Sequence, residues 1–156
     1  MSSDATDPND SDELEIPEDK LLCFITGELV TDDEHERNRQ LLARELHEEY
    51  GYAVEDMDTE VTTEVGSQTG RADLVVFEEG EPHIDENVHI AVEIEPEDTE
   101  PDHPNHGVKQ TRSYMYMYPA DYGIWFNGVE KFHYHRHDDT IDEVNDIPPK
   151  GLTIED

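Results

Sequence analysis

The chain has 156 residues, a formal net charge of −32 and a hydrophobic content of 33%, which allows one domain with a modest core. Its single cysteine excludes an intramolecular disulfide, and no apolar run approaches the length of a membrane span. The N-terminus has neither the basic nor the apolar segment of a secretory signal, so we expect a cytoplasmic protein without a membrane anchor.

The negative charge is spread along the whole chain, with 42 acidic against 10 basic residues. This distribution favours a halophilic protein adapted to a salt-saturated cytoplasm, where screening reduces self-repulsion and a dense carboxylate surface stays hydrated. The alternative is an acidic mimic of nucleic acid that occupies a DNA-binding protein. Residues 1–19 are predicted to be an acidic disordered tail, residues 20–137 the folded domain and residues 138–156 a polar C-terminal tail.

Two helices are predicted in the first third of the folded domain. The apolar segment Leu21–Gly27 is expected to form a short helix that its glycine closes. In the second helix, Thr31 as N-cap and Glu34 have the spacing of a capping box, and Gly51 is expected to stop the helix after Tyr50. The apolar stripe of this helix comprises Leu42, Leu46 and Tyr50, with Leu41 beside it.

Three of the six arginines of the chain, Arg37, Arg39 and Arg44, lie on this second helix. In so acidic a protein their concentration is unexpected, and it has two interpretations. The first is local pairing with glutamates of the same helix. The second is contact with the phosphates of a nucleic acid.

Five strands and a third helix are predicted downstream, with that helix between the third and fourth strands. The strands are Met57–Val65, Arg71–Phe77, His89–Glu95, Asp121–Asn127 and Val129–His135, and the helix is Gly107–Tyr118. The dipeptide Asn127-Gly128 is typical of the hairpin turn that joins the last two strands. A helical connection between strands predicts a crossover, and hence an α/β fold with a mixed central sheet flanked by helices.

The second and third predicted strands are apolar on both faces, yet they contain Asp73, Glu93 and Glu95. Because side chains alternate along a strand, Glu93 and Glu95 are expected to share one face. Buried carboxylates are costly unless they are paired, hydrogen-bonded or bound to metal. One divalent cation held by these acids is therefore one interpretation, and solvated acids at the edge of a sheet are the other.

Three histidines alternate near the end of the last predicted strand: His133, His135 and His137. If the strand extends that far, their side chains share one face. Imidazole groups suit zinc, but a polar face on an edge strand accounts for the same pattern.

Several short segments occur in the order and spacing found in a known family. They are Phe24–Gly27, Glu34–Gln40, Glu49–Tyr52, Arg71–Asp73, Val92–Glu95, Gln110 with Ser113-Tyr114, and Tyr122–Gly128. Together, over residues 21–134, they resemble the N-terminal nuclease domain of type I restriction enzyme R subunits, in the PD-(D/E)xK superfamily.

The resemblance implies a restriction-endonuclease-like fold and a DNA endonuclease that depends on Mg²⁺ or Mn²⁺. In such a site Asp73 and Glu93 bind the metal, and Glu36 is a supporting acid of the first long helix. Gln110 lies on the helix that flanks the site. The expected partner is DNA, with separately encoded restriction-modification subunits as further partners.

The sequence departs from the family pattern at one position, because the usual lysine two residues after Glu93 is Glu95. A carboxylate cannot supply positive charge to the reaction, although it can act as a general base or as a metal ligand. Alternatively Lys109 reaches in from the neighbouring helix, or the site is inactive. The rival functions are thus a catalytically inactive DNA-binding or scaffold module of the same fold and an acidic DNA mimic.

The phosphate contacts of a DNA complex are assigned to Arg37, Arg39 and Arg71. The sequence contains no glycine-rich Walker loop of the kind found in helicase motors. We therefore expect a domain that works alone or with separate subunits.

Overall fold

The computed structural model describes residues 15–154. Residues 1–14 of the predicted acidic tail, and residues 155–156, lie outside this range. The described residues contain two α-helices, α1 (Glu34–Glu48) and α2 (Val108–Met117). The strands are β1 (Lys20–Leu22), β2 (Leu29–Thr31), β3 (Met57–Val65), β4 (Gln68–Phe77), β5 (Val88–Ile94), β6 (Tyr122–Phe126), β7 (Lys131–His137) and β8 (Thr140–Val144).

Strands β3 to β8 form one six-stranded sheet in which they lie in sequence order. Strands β5 and β6 are parallel, and all other neighbours in this sheet are antiparallel. Because parallel neighbours need a crossover connection, α2 provides the link between β5 and β6. The predicted α/β class with a mixed central sheet is confirmed.

The two helices cover opposite faces of this sheet. Leu42 and Leu46 of α1 pack against Leu74 and Val92 in one buried cluster, while Met115 of α2 belongs to a separate cluster on the other face. Helix α2 lies very close to β6, because a Cβ atom added at Gly123 would come within 2.5 Å of Met115 Sδ. The position of α2 therefore depends on the absence of a side chain at Gly123.

Helix α1 begins two residues later than the capping-box spacing predicts. Its N-cap is Asp33, whose Oδ1 accepts a hydrogen bond from the Glu36 amide at 2.8 Å, because Thr31 is already paired in β2. The helix ends at Glu48, two residues before the predicted end at Tyr50. Gly51 closes the turn that follows, with a φ of 84° and an amide that donates to the His47 carbonyl. Of the predicted stripe, Leu42 and Leu46 are buried and Tyr50 is half-buried, whereas Leu41 is exposed.

The prediction of a short helix over Leu21–Gly27 is wrong. This segment starts in β1 and turns into β2, with Lys20 paired to Thr31. The Cys23 amide bonds the Glu28 carbonyl at 2.8 Å, and Gly27 adopts a φ of 77° in the turn. An apolar run of this length fits either element, and here the partner strand a few residues downstream decides.

The segment predicted as a polar C-terminal tail contains β8 and contributes to the core. Strand β8 pairs with β7 from His133↔Val144 to His137↔Thr140, and Ile141 and Ile147 are buried. Strand β7 is consequently internal to the sheet, which corrects the expectation that its histidines lie on an edge strand. Neither α-helix found in residues 15–154 has the length and the apolar character that a membrane-spanning helix needs.

Candidate metal centre

A cleft of about 560 Å³ opens where β4 and β5 meet, between the start of α1 and the first turns of α2. The acidic side chains predicted for the site share this cleft with two histidines and with polar groups of α2. Its lining residues include His35, Asp73, Glu93, Glu95, His106, Gln110 and Tyr114. The structure therefore brings the three predicted acids to one place.

Asp73 lies where the alternation of side chains along β4 is broken. Ala72 packs beneath α2, whereas Leu74 packs beneath α1, although regular alternation would place both on one face. On β3, Thr59 pairs with Leu74 and Val61 with Ala72, and Glu60 between them has a φ of 52°. The irregularity leaves Asp73 between the two faces of the sheet, beside the cleft.

Both carboxylate oxygens of Asp73 have partners. Oδ2 accepts a hydrogen bond from the Ile94 amide at 2.7 Å, and Oδ1 lies 3.2 Å from His35 Nε2. The hydrogen bond with Asp73 raises the pKa of His35, against the opposing effect of burial. These contacts fix the Asp73 carboxylate between β5 and α1. Sequence reasoning missed His35, which lies in the first turn of α1 with no characteristic spacing to the acids.

Glu93 and Glu95 point to the cleft side of β5, while Val92 and Ile94 enter the core beneath α1, as predicted. Glu93 is 6% exposed, and its Oε1 has no hydrogen-bond partner within the described part of the chain. Burial raises the pKa of Glu93, and the adjacent Glu95 carboxyl and the charge of Asp73 raise it further. Glu93 and Glu95 share a hydrogen bond between their carboxyl groups, and such adjoining acids are unfavourable as two charges unless a proton or a metal ion lies between them.

A histidine that sequence reasoning missed completes this group. Ligand atoms of Glu93, Glu95 and His106 all lie within 4.8 Å of one another, with His106 Nδ1 3.7 Å from Glu95 Oε2. The buried Trp125 donates from Nε1 to the His106 carbonyl at 2.9 Å and so fixes the loop before α2. Asp73 lines the same cleft but is outside this three-residue set, which differs from the predicted pair of Asp73 and Glu93.

On α2, Gln110 lies beside the site as predicted, and its Nε2 donates to the Tyr114 hydroxyl at 2.9 Å. Lys109 is exposed and does not line the cleft, so the structure does not bring it to the position of the missing lysine. Because successive helix positions are about 100° apart, Lys109 cannot share the direction of Gln110. Among the described lining residues, the one arginine or lysine is Arg71, which is exposed.

The arginines of α1 are used differently from one another. Arg39 is buried: its guanidinium bonds both oxygens of Glu36, and Nη1 donates to the Asp73 carbonyl at 3.1 Å. The guanidinium of Arg39 is thus engaged inside the protein and not at the surface, where the predicted contact with DNA phosphates would be made. Glu36 does not line the cleft and supports it indirectly, by holding Arg39 against β4. Arg37 remains accessible, paired with Asp32 at 2.6 Å and 58% exposed.

The three histidines of β7 do not form a metal cluster within the described residues. His133 Nε2 lies 3.6 Å from Asp146 Oδ1, and the ring of His135 stacks on Tyr122. Pairing with a carboxylate and ring stacking account for these two residues without zinc.

Comparison with known protein families gives a match over residues 34–148, to the family described as type I restriction enzyme R protein N terminus. This range contains both helices, the six-stranded sheet and every cleft residue named above. A search of curated proteins finds no match. The mixed sheet flanked by two helices agrees with a restriction-endonuclease-like fold, and the chain is a restriction-related, nuclease-like domain. It belongs to the family of type I restriction enzyme R protein N-termini.

Proposed function

We propose that this domain is a metal-dependent DNA endonuclease that hydrolyses phosphodiester bonds in the cleft where β4 and β5 meet. The observation that carries the proposal is the buried Glu93 carboxyl, whose Oε1 has no partner among residues 15–154 while Glu95 adjoins it. A divalent cation would compensate this arrangement, because carboxylate oxygens are the ligands that such hard ions prefer. The family match to a restriction enzyme subunit supports the same chemistry.

In this proposal Asp73 and Glu93 hold Mg²⁺ or Mn²⁺, with Glu95 or His106 as a further ligand. The fit rests on the donor set, which offers three buried carboxylates and one imidazole around one cleft. When bound, the ion supplies an activated water and neutralises the charge that develops on the phosphate. The imidazole of His106 makes Mn²⁺ at least as suitable as Mg²⁺, because nitrogen ligands favour transition ions.

The remaining cleft residues have roles that follow from their chemistry. Where His106 is the further metal ligand, Glu95, at the position where the family has lysine, is the adjacent acid that acts as general base toward the attacking water. Gln110 orients the substrate through its amide group, and Arg71 offers positive charge at the opening of the cleft. These assignments supply a base and a phosphate contact without a lysine.

DNA is the proposed substrate, and Arg71 and Arg37 are the phosphate contacts that remain exposed. Separately encoded restriction-modification subunits are the proposed protein partners. The net charge of −32 opposes binding to a polyanion, so we propose that high concentrations of K⁺ screen this repulsion.

The direct test is cleavage of plasmid DNA in molar KCl with Mn²⁺ or Mg²⁺. The unmodified protein should nick supercoiled plasmid, whereas Glu93→Gln should lower the rate by at least 100-fold. Glu97→Gln is the matched control, because Glu97 is an exposed glutamate shortly after the same strand. Equal nicking by the unmodified protein and Glu93→Gln would refute the proposal.

A second candidate function is a catalytically inactive DNA-binding or scaffold module of the same fold. It is favoured by one observation, the lack of any lysine among the described residues that line the cleft. The two functions differ in their use of metal. Calorimetric titration with Mn²⁺ should detect binding that Glu93→Gln removes if the domain is a nuclease, and no such difference if it is a scaffold.

A further inference from the structure

A second group of metal-ligating side chains lies at the other end of β5 from Glu93. It consists of Glu78, which follows β4, His89 near the start of β5, and Asp121, which precedes β6. The Asp121 amide donates to the His89 carbonyl at 3.1 Å, so these two residues are direct neighbours across the parallel strands. Three consecutive strands of the sheet thus each bring one ligand to the same point.

The spacing of the ligand atoms fits a single ion. His89 Nδ1 lies 2.9 Å from Asp121 Oδ2 and 3.3 Å from Glu78 Oε2, and all three ligand atoms lie within 4.8 Å of one another. Around an ion with bonds of about 2.1 Å, neighbouring ligands lie about 3.0 Å apart in an octahedron and about 3.4 Å apart in a tetrahedron. Little rearrangement would be needed to admit an ion.

The other nitrogen of the imidazole is held by a separate contact. His89 Nε2 lies 3.3 Å from the Tyr52 hydroxyl oxygen, and this hydroxyl donates to the Pro148 carbonyl at 3.4 Å. Because the Tyr52 hydroxyl gives its proton to the Pro148 carbonyl, its oxygen can act as the acceptor toward His89. The tyrosine oxygen then accepts the Nε2 proton, as the outer partners of metal-bound histidines commonly do.

This arrangement directs Nδ1 of His89 toward two carboxylates. With the Nε2 proton donated to Tyr52, a neutral imidazole would point a lone pair at negative charge, which is unfavourable unless a cation lies between them. That cation is either a proton on Nδ1 or a metal ion. His89 is 17% exposed, whereas Glu78 and Asp121 are 48% and 52% exposed, so an ion can reach the site from solvent and keep water ligands.

We propose that Glu78, His89 and Asp121 form a second cation site, distinct from the cleft, for a first-row transition ion such as Zn²⁺ or Mn²⁺. One imidazole with two carboxylates suits these ions better than Mg²⁺, which prefers oxygen ligands alone. The ion would join the ends of β4, β5 and β6. Because it binds the folded state, it would stabilise the sheet in proportion to its concentration.

The experiment uses the full chain carrying Glu93→Gln, which removes the central ligand of the cleft. After treatment with a chelator, Zn²⁺ binding is measured by calorimetry in molar KCl, and Co²⁺ is titrated while its visible absorption is recorded. His89→Gln and Asp121→Asn are the test variants. His83→Gln is the matched control, because among residues 15–154 His83 Nδ1 pairs with a single carboxylate, at 3.2 Å from Asp58 Oδ2.

We expect one equivalent of Zn²⁺ to bind, and the affinity to fall at least 10-fold in His89→Gln and Asp121→Asn but not in His83→Gln. Tyr52→Phe should weaken binding by about 10-fold, the effect of losing an outer partner. Zn²⁺ should also raise the unfolding temperature of the parent, and not that of Asp121→Asn. Absence of stoichiometric binding, or equal affinity of the parent and both test variants, would mean that His89 is simply a protonated partner of the two acids. Because the parent lacks Glu93, these outcomes are independent of whether the cleft cleaves DNA.

Discussion

Asp73 Oδ2 accepts a hydrogen bond from the backbone amide of Ile94 at 2.7 Å. This bond joins β4 to β5 at the point where the regular pairing of the two strands ends. The same carboxylate faces the cleft that we propose as the metal centre. Asp73 thus has a structural role, as the hydrogen-bond acceptor for the Ile94 amide, and a proposed functional role, as a negatively charged ligand of the metal ion. The two roles can be separated by substitution.

Asp73→Asn keeps an acceptor oxygen for the Ile94 amide and removes the charge, whereas Asp73→Ala removes both. We expect the free energy of unfolding of the asparagine variant to lie within about 1 kcal/mol of that of the parent. The free energy of unfolding of the alanine variant should fall by about 1–3 kcal/mol, because this substitution leaves a buried amide unpaired. Both should lose nicking activity. Urea unfolding in molar KCl measures the stabilities, and an equal loss in the two variants would contradict the structural role of the hydrogen bond.

Glu93→Gln should stabilise the metal-free protein while it abolishes cleavage. Its carboxyl is buried, its Oε1 has no partner in the described part of the chain, and its ionisation is opposed by burial and by neighbouring acids. A neutral amide of the same shape avoids that cost, which we place on the order of 1 kcal/mol.

In the presence of a chelator, the unfolding temperature of Glu93→Gln should be higher than that of the parent. Addition of Mn²⁺ should reduce or reverse this difference in unfolding temperature. Glu97→Gln, at an exposed position, should match the parent in both conditions. A metal-free Glu93→Gln protein that melts below the parent would show that the glutamate is stabilising by itself.

The buried pair of Glu36 and Arg39 predicts a pH-dependent stability. Burial opposes ionisation of Glu36, but hydrogen bonds from Arg39 and Gln40 outweigh it and lower the pKa below the ordinary 4.5. A group whose pKa is lower in the folded state contributes stability above its unfolded pKa and loses that contribution as the pH falls through its folded pKa. Glu36→Gln should therefore lower the free energy of unfolding by on the order of 3 kcal/mol at pH 7. The difference in this free energy between the variant and the parent should become smaller below pH 4.5.

Urea unfolding between pH 3 and pH 7 at constant KCl tests this difference. Glu48→Gln is the control, because Glu48 is an exposed glutamate at the end of the same helix. A Glu36→Gln penalty that stays constant over this range would mean that the pair contributes through packing and not through charge.

The segment after β8 is predicted to be part of the core. Ile147 is 3% exposed and belongs to the cluster beneath α1. Ile147→Ala should therefore destabilise the fold by about 2–5 kcal/mol. Leu152→Ala, at a residue that is 61% exposed, should change the stability by less than about 0.5 kcal/mol. Equal unfolding midpoints for the two variants would show that the domain ends before Ile147.

Most of the sheet and both helices follow from local pattern. Strand β3 covers the predicted range Met57–Val65, and the crossover helix α2 was expected from apolar spacing.

The errors in the predicted elements occur where contacts distant in sequence decide which element forms. Residues 21–27 have an apolar run that fits a helix or a strand, and only pairing with β2 determines which forms. Strand β8 was missed because it is short and three of its five residues are exposed and polar, with Ile141 as its one buried residue.

The acids of the site were predictable, whereas their partners were not. Charged residues inside apolar strands identified Asp73, Glu93 and Glu95 from sequence alone. His35 and His106 come from the first turn of a helix and from a loop, so only the fold brings them to the acids. The break in alternation at Asp73 also has no sequence pattern, because it depends on the backbone of Glu60 in the neighbouring strand.

The most direct measurement is a crystal structure of the protein soaked in Mn²⁺, with the ion located by its anomalous scattering. A cation bound in the cleft predicts a peak about 2.1 Å from a carboxyl oxygen of Glu93, with Asp73 or Glu95 as a second ligand, and no such peak in Glu93→Gln. Diffraction from well-ordered soaked crystals with the Glu93 carboxyl bonded only to protein groups would contradict a metal-dependent nuclease.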